Sequence, residues 1–75
     1  MTRTTTGSVA ASGSFDNRAD CAPGETLISG GGGFDFVIDG EALARSYKSG
    51  NGWRIFGRND TASSQTYTVE AYCLQ

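Results

Sequence analysis

Two cysteines, Cys21 and Cys73, lie far apart in a chain of 75 residues that contains no histidine. A domain of this size buries only about 60% of its unfolded surface, so a covalent link or oligomerisation usually supports it. Without histidine or a Cys-x-x-Cys pair, the chain has too few ligands for a structural zinc site. We therefore expect a disulfide, which a loop-entropy model values at about 4 kcal/mol, and hence an oxidising compartment. Two unrelated thiols are the alternative.

The composition is typical of an all-β protein. The chain contains 11 glycines and one proline, and apolar residues make up 37% of it. No segment carries a convincing helical repeat, whereas short alternating runs of apolar and polar residues recur at intervals of about ten residues. We expect a single domain over residues 1–75 that folds as a small antiparallel β-sandwich or β-prism of six to seven short strands.

Turn sequences rich in glycine, asparagine and aspartate separate the predicted strands. The strands cover Arg3–Val9, Ser14–Cys21, Thr26–Ser29, Phe34–Ile38, Ala42–Lys48, Trp53–Arg58 and Gln65–Gln75. The first belongs to a threonine- and serine-rich segment over residues 1–13 and suits a sheet edge or a subunit contact. For Ala42–Lys48, a strand is favoured over a single helical turn at Glu41–Arg45. A bridge between Cys21 and Cys73 would make two strands neighbours, either side by side or face to face.

Four consecutive glycines form the most unusual local feature of the sequence: Gly30, Gly31, Gly32 and Gly33. A phosphate-binding loop is disfavoured, because no Lys-Ser/Thr pair follows and no Gly-x-Gly-x-x-Gly spacing leads into a helix. Glycines inside a strand indicate a bulge or a close approach of the backbone to another group. We therefore predict that these glycines pack closely against a large aromatic side chain such as Trp53 or Tyr67. A place near the symmetry axis of an oligomer is a narrower version of the same prediction.

Charge and hydropathy exclude several classes of partner. The net charge is −2 and the six basic residues are scattered, so we expect no nucleic-acid binding. The apolar runs are too short for insertion into a membrane. The segment Met1–Val9 lacks the apolar region of a signal peptide, so export would need a signal in a longer parent chain or cell lysis.

We expect neither catalysis nor a cofactor, because the residues of the common catalytic sites are missing. Without histidine, Ser-His-Asp and Cys-His catalysis are excluded. The nearest carboxylate group, Asp35, Asp39 and Glu41, lies around a predicted turn, and glycoside hydrolysis there would need a cleft that a small domain hardly offers. Calcium binding by these three carboxylates is an alternative, although their spacing is not that of an EF-hand loop. Solvated turn carboxylates are the simpler interpretation.

Aromatic side chains are the better candidates for a contact surface. In the alternating strands, Phe56 and Tyr72 lie opposite to the faces that Ile55 and Val69 assign to the core. Such outward rings bind a ligand such as a sugar, join a subunit contact, or lie under a second layer of the fold. The residues that we expect at a ligand or partner contact are Trp53, Arg54, Phe56, Arg58, Asn59 and Tyr72.

Four motifs in order give the chain a resemblance to a known type of β-domain. The segment Cys21–Gly32 resembles a Cys-Pro-Ala-Gly motif that ends in three glycines, with Ala22-Pro23 in reversed order here. A threonine- and serine-rich strand precedes it, and Gly52–Asn59 resembles a Gly-Trp motif that follows it. Val69–Cys73 resembles the closing motif before a cysteine, one residue shorter here. This domain type recurs in secreted proteins of actinomycetes and in phage tail and fibre proteins.

The resemblance implies an extracellular or virion-surface β-domain with bridged cysteines and no catalytic residues. Such domains often stand at the end of a longer fibrous or collagen-like chain. We therefore expect a non-catalytic structural or binding module that acts by adhesion or by assembly. The expected partners are further copies of the chain in a homotrimer, or a cell-surface glycan or protein. The alternatives are a carbohydrate-binding module and a small secreted inhibitor or effector that uses the loop Asn59–Gln65.

Overall fold

The computed structural model of the protein describes residues 1–35 and 39–75, which contain six β-strands. The strands are β1 (Thr2–Val9), β2 (Gly13–Asp20), β3 (Thr26–Phe34), β4 (Glu41–Ser49), β5 (Gly52–Asn59) and β6 (Gln65–Leu74). The whole glycine run lies in β3. This strand therefore continues from the predicted strand Thr26–Ser29 to Phe34, the first residue of the next predicted strand. Residues 36–38 of the predicted strand Phe34–Ile38 lie outside the described residues. The strand favoured at Ala42–Lys48 is confirmed, since β4 covers it.

The strands form two three-stranded antiparallel sheets, so the predicted β-sandwich is confirmed. Sheet A has the order β1-β6-β3, and sheet B has the order β2-β5-β4. Each sheet therefore has one central strand and two edge strands. The molecule measures 42 × 16 × 15 Å, because the strands run along its length. Among the described residues, no helix is long and apolar enough to cross a membrane.

The core lies between the two central strands, where apolar residues alternate with outward polar ones. Ile55 on β5 and Val69 on β6 are completely buried. Phe15 stacks on Tyr67 with ring centroids 4.0 Å apart, and Phe34 meets Phe15 edge-on at 5.4 Å. The buried apolar residues of the described chain form one small cluster: Val9, Phe15, Ala19, Ile55, Tyr67, Val69, Ala71 and Cys73.

The predicted disulfide between Cys21 and Cys73 is formed, and the Cα atoms of the two residues are 5.8 Å apart. Cys21 directly follows β2 of sheet B, and Cys73 lies near the end of β6 in sheet A. Of the two arrangements left open by the sequence, the bridge therefore joins strands that lie face to face. It ties the two sheets together at one end of the sandwich, which we call the disulfide end.

A buried carboxylate supports the disulfide end. Glu25 is only 8% exposed, and Arg3 on β1 donates two hydrogen bonds to its carboxylate oxygens. The backbone N–H of Ala22 donates a third one at 2.8 Å. These bonds, with those from Arg3 as the largest cause, hold the pKa of Glu25 below its ordinary value. Asn51 completes the end, since its side chain donates to the Glu25 carbonyl oxygen and accepts from the N–H of Leu27.

Gly30 of β3 lets the two sheets approach each other closely, and Gly32 lets β3 lie close to β6 within sheet A. A Cβ atom on Gly30 would collide with the side chain of Trp53 and lie 2.6 Å from the carbonyl oxygen of Glu70. A Cβ atom on Gly32 would collide with the carbonyl oxygen of Thr68 on β6. At Gly30 the glycine run packs against Trp53, as predicted, whereas Gly32 lies against the backbone of β6 and is itself exposed.

Gly31 and Gly33 lie on the other face of the strand. Apart from their chain neighbours, no atom of the described residues lies within 4 Å of their Cβ positions. The prediction of four closely packed glycines is therefore wrong for these two, because successive residues of a strand point to opposite faces. Tyr67, the second aromatic residue expected on the glycine run, covers Gly7 of β1 instead.

Alanine substitutions at Gly32 and Gly31 are expected to differ in their effect on stability. Gly32→Ala forces a Cβ atom against the backbone of β6, so we expect the free energy of unfolding to fall by about 1–3 kcal/mol. Gly31→Ala meets open space and restricts the unfolded chain, so we expect no loss, or a gain of up to about 1 kcal/mol. Urea denaturation followed by Trp53 fluorescence measures both values. Equal losses in the two variants would contradict the assignment of Gly32 and Gly31 to opposite faces of β3.

Acid is expected to weaken the disulfide end through Glu25. Because its pKa is lower in the folded than in the unfolded state, the carboxylate stabilises the fold at pH values above the unfolded pKa of about 4.3. This contribution is lost as the pH falls through the lower folded pKa. We expect the free energy of unfolding of Glu25→Gln to be lower than that of the wild type at neutral pH and to fall less on acidification. Urea titrations at several pH values measure this, and equally steep pH dependences would exclude Glu25 as a cause.

Candidate functional site

The outer face of sheet B carries four of the five arginines of the chain. Two aromatic residues and one carboxylate lie among them. We call this surface the arginine face, and it consists of Asp16, Arg18, Arg45, Tyr47, Arg54, Phe56 and Arg58. The scattering of basic residues along the sequence hides this concentration, which arises only when three strands are paired.

Strand register places these side chains next to one another. On the central strand β5, Phe56 lies between Asp16 of β2 and Arg45 of β4. Arg54 is two residues earlier on the same face of β5, and Tyr47 is its neighbour on β4. Cross-strand neighbours on one face have Cβ atoms about 5 Å apart, so these side chains form a continuous surface.

A β-bulge in β4 brings Arg45 and Tyr47 onto this face. The register with β5 shifts between Leu43 and Arg45, which makes Ala44 the extra residue. Leu43 consequently pairs with an inward-facing glycine, whereas Arg45 pairs with the outward Phe56. Simple alternation would put Leu43, Arg45 and Tyr47 on one side of the strand. Arg45 and Tyr47 were therefore not placed on this face from the sequence alone. The only available signal was the apolar Leu43, which simple alternation would put on the same side as Arg45.

Carboxylates hold three of the four arginines of this face, Arg18, Arg54 and Arg58. Arg54 donates two hydrogen bonds of 2.6 Å to Asp16 across the β2–β5 pair. This contact lowers the pKa of Asp16 and, with a smaller contribution from Tyr47, raises the pKa of Arg54. Two further ion pairs of 2.6 Å stand at the ends of the face, Arg18–Asp20 and Arg58–Asp60. Exposed pairs of this kind add little stability, but they order the guanidinium groups on the sheet.

The middle of the arginine face is aromatic and cationic. The guanidinium carbon of Arg45 lies 4.2 Å from the centroid of the Tyr47 ring, which is a cation–π contact. Next to it, the side chain of Phe56 is 42% exposed. The described residues enclose no cleft, so any ligand of this face meets a flat surface. Such a surface offers ring stacking and bidentate hydrogen bonds to carboxylate or sulfate groups.

The structure divides the residues expected at a contact among different surfaces. Three of them share the arginine face: Arg54, Phe56 and Arg58. Trp53 faces inward, and its Nε1 donates a hydrogen bond of 2.8 Å to the hydroxyl of Ser46. Tyr72 lies on the outer face of sheet A, 41% exposed, with its pKa raised by the neighbouring Glu70. Tyr72 and Phe56 therefore lie on opposite sides of the sandwich, because the strands that carry them belong to different sheets.

Asn59, the remaining expected contact residue, is completely buried at the end of the sandwich opposite to the disulfide. Its side-chain nitrogen donates to the carbonyl oxygens of Val9, Ala10 and Ser63 at 2.9–3.2 Å. Its side-chain oxygen accepts hydrogen bonds from the backbone N–H and the hydroxyl of Thr61. The expectation of a contact role is therefore wrong, since Asn59 is inaccessible and instead ties the β1–β2 turn to the β5–β6 loop.

The potential metal ligands do not indicate a metal centre. Among the described residues, one group comes together: Cys21, Glu25 and Cys73. The two sulfur atoms are bonded to each other, and the carboxylate of Glu25 already accepts the hydrogen bonds of Arg3. Among the described residues, the three carboxylates of the calcium alternative, Asp35, Asp39 and Glu41, do not form such a group. Asp35 accepts a hydrogen bond of 2.6 Å from the hydroxyl of Thr68.

No protein-family model matches this chain, and neither a curated protein nor a solved structure matches it. The resemblance inferred from the sequence motifs therefore stays a prediction. Of the exposed faces of the molecule, the arginine face is the one that combines arginine, aromatic and carboxylate side chains.

Removal of the Asn59 side chain is expected to destabilise the fold without touching the arginine face. Asn59→Ala leaves buried carbonyl groups without a donor, so we expect the free energy of unfolding to fall by about 2–3 kcal/mol. Asp60→Ala changes the adjacent exposed residue and is expected to cost no more than about 0.5 kcal/mol. Urea denaturation at neutral pH compares the two variants. A loss at Asn59 as small as the one at Asp60 would show that the hydrogen-bond network is not needed.

Proposed function

We propose that this chain is a non-catalytic binding module of an extracellular or virion-surface protein, and that it acts in adhesion through the arginine face. The observation that carries the proposal is the exposed ring of Phe56 between Arg45 and Arg54 on a flat sheet. Aromatic and arginine side chains are enriched among the residues that dominate the energy of protein contacts. The ion pair of Arg54 and the cation–π contact of Arg45 already restrict these side chains, so less side-chain freedom has to be lost on binding.

An acidic carbohydrate of a cell surface is the ligand class that this chemistry supports best. The face of a sugar ring stacks on an exposed aromatic side chain such as Phe56. A guanidinium group binds a carboxylate or sulfate with two parallel hydrogen bonds. Arg45 is suited to this contact, because it stacks on Tyr47, whereas Arg54 already holds Asp16. Carboxylates pair with Arg18, Arg54 and Arg58. Among the described residues, the excess positive charge of this face therefore lies at Arg45, where it attracts an acidic group although the whole chain has a net charge of −2.

The disulfide supports the compartment in this proposal. Cys21 and Cys73 are bridged, and structural disulfides persist mainly in secreted proteins and on the surfaces of cells and virions. The bridge lies at one end of the sandwich, while Phe56 lies in the middle of a strand. The stabilising bond and the proposed contact surface are therefore separate.

Binding to a glycan array that contains uronic, sulfated, sialylated and neutral sugars is expected to favour the acidic members. We expect Phe56→Ala and Arg45→Gln each to weaken this binding by at least about tenfold, equivalent to about 1.4 kcal/mol. Binding is also expected to weaken as salt is added, because exposed charges are screened.

Tyr72→Ala is the matched control, since Tyr72 is 41% exposed on the opposite sheet and Phe56 is 42% exposed. We expect this variant to bind like the wild type, and urea midpoints show whether each variant is folded. Absence of binding to any glycan, or an equal loss in Tyr72→Ala, would contradict the proposal. Binding to intact cells that is abolished by protease but not by glycosidases would move the ligand from the glycan to a surface protein.

A further inference from the structure

The open edges of the two sheets differ in their protection against pairing with another strand. Edge strands are commonly protected by bulges, charged residues or glycine-rich, irregular backbone. β3 and β4 each contain a bulge, and β2 carries the alternating charges of Asp16, Arg18 and Asp20. β1 has neither a bulge nor an outward charge. Its eight residues pair with β6 in one continuous register, and its single charged side chain, Arg3, lies on the inner face and binds Glu25.

The hydrogen bonds of β1 show which of its backbone groups face the open edge. Met1 and Cys73 exchange both hydrogen bonds, at 2.8 and 2.7 Å, so they form a hydrogen-bonded pair of the antiparallel ladder. Such pairs alternate with pairs whose N–H and C=O groups point away from the partner strand. Odd-numbered residues of β1 therefore bind β6. The even-numbered residues direct their N–H and C=O groups to the open edge, and these are Thr2, Thr4, Thr6 and Ser8.

We propose that two copies of this chain associate by antiparallel pairing of their β1 edges, with Thr5 opposite Thr5 of the second copy. In this register Thr4 lies opposite Thr6 of the second copy, and their outward N–H and C=O groups meet. Sheet A of each copy then continues into the other, which gives one six-stranded sheet. The inference stands on the edge geometry alone and is independent of the proposed ligand.

The sequence of β1 is complementary to itself in this register. On the outer side, threonine and serine hydroxyl groups form a cross-strand ladder, and Thr–Thr and Thr–Ser pairs are favourable. On the inner side, Arg3 lies opposite Gly7 of the second copy, so no like charges meet across the interface. A register that is shifted to place Arg3 opposite its own counterpart is disfavoured by repulsion. A second copy of the chain is therefore a better occupant of this edge than an arbitrary extended peptide.

Pairing of this kind makes a dimer with two-fold symmetry, in place of the homotrimer that we expected from the sequence. Each copy has one β1 edge, and an antiparallel pair of these edges uses both. Since the strands of a continuous sheet share the same faces, the two sheets B lie on the same side of the dimer. Both arginine faces then point in one direction.

Sedimentation equilibrium over a range of concentrations up to millimolar tests the association. A single strand pair buries less than a standard interface, so we expect a weak, concentration-dependent dimer. Thr6→Pro removes an N–H that faces the open edge, and proline is tolerated on an edge strand at such a position. We expect it to raise the dissociation constant by at least about tenfold. Thr6→Val loses the same hydroxyl of the ladder but keeps the N–H, so we expect it to weaken association less than Thr6→Pro does.

Amide hydrogen exchange of the unmodified protein gives a second readout that does not depend on a variant. The amides of Thr4 and Thr6 are expected to exchange fast in dilute solution and to slow as the concentration rises, whereas the amide of Thr5 is protected throughout. A protein that stays monomeric at millimolar concentration would overturn the proposal. So would a dimer that Thr6→Pro leaves intact while the variant is folded, or one in which the amides of another strand gain the protection.

Discussion

The two sheets of this protein are held together by the disulfide between Cys21, which directly follows β2, and Cys73 on β6. The core between them is one small cluster of apolar side chains, and a domain of this length is marginal on burial alone. Restriction of the unfolded chain by the bridge is worth about 4 kcal/mol, a large part of the roughly 5 kcal/mol that keeps a small domain folded. The polar contacts of Glu25 and Asn51 form around the bridge and hold the adjacent chain segments. At the far end no covalent cross-link exists among the described residues. There the buried side-chain amide of Asn59 holds the adjacent chain segments together by hydrogen bonds.

Within the sandwich, large rings pack on positions that lack a side chain. At three places an aromatic ring occupies the space in which a Cβ atom would otherwise stand: Tyr67 over Gly7, Phe15 over Gly57 and Trp53 over Gly30. Each glycine lets a flat ring lie close to the backbone, so a few aromatic residues fill an interior with little apolar material. The abundance of glycine is therefore part of the packing, and it offsets the low apolar content of the chain.

Alternation along single strands was sufficient to predict an antiparallel β-fold with the sandwich as one of two architectures. It also predicted the inward side of β5 and β6 and the outward rings of Phe56 and Tyr72. Two bulges account for most of what it missed. After the extra residue Ala44, the residues of β4 that face outward change from even-numbered to odd-numbered ones. Arg45 and Tyr47 therefore join the arginine face. A register shift between Leu27 and Ser29 similarly decides which glycines of β3 face inward. A bulge depends on the partner strand, and a single chain segment gives little sign of it. The burial of Asn59 was equally invisible, because two of the carbonyl oxygens that its side chain binds belong to Val9 and Ala10, which are far away in the sequence.

The pairing of Met1 with Cys73 places the two chain termini side by side at the disulfide end. A mechanical force that separates the termini therefore acts across the β1–β6 ladder, perpendicular to the strands, and loads its hydrogen bonds one after another. The carboxyl-terminal side is anchored, because Cys73 passes the tension through the disulfide to sheet B. The amino-terminal side has no such covalent anchor, so β1 is the first strand to separate. Under tension between its two ends, the molecule therefore has one detachable strand.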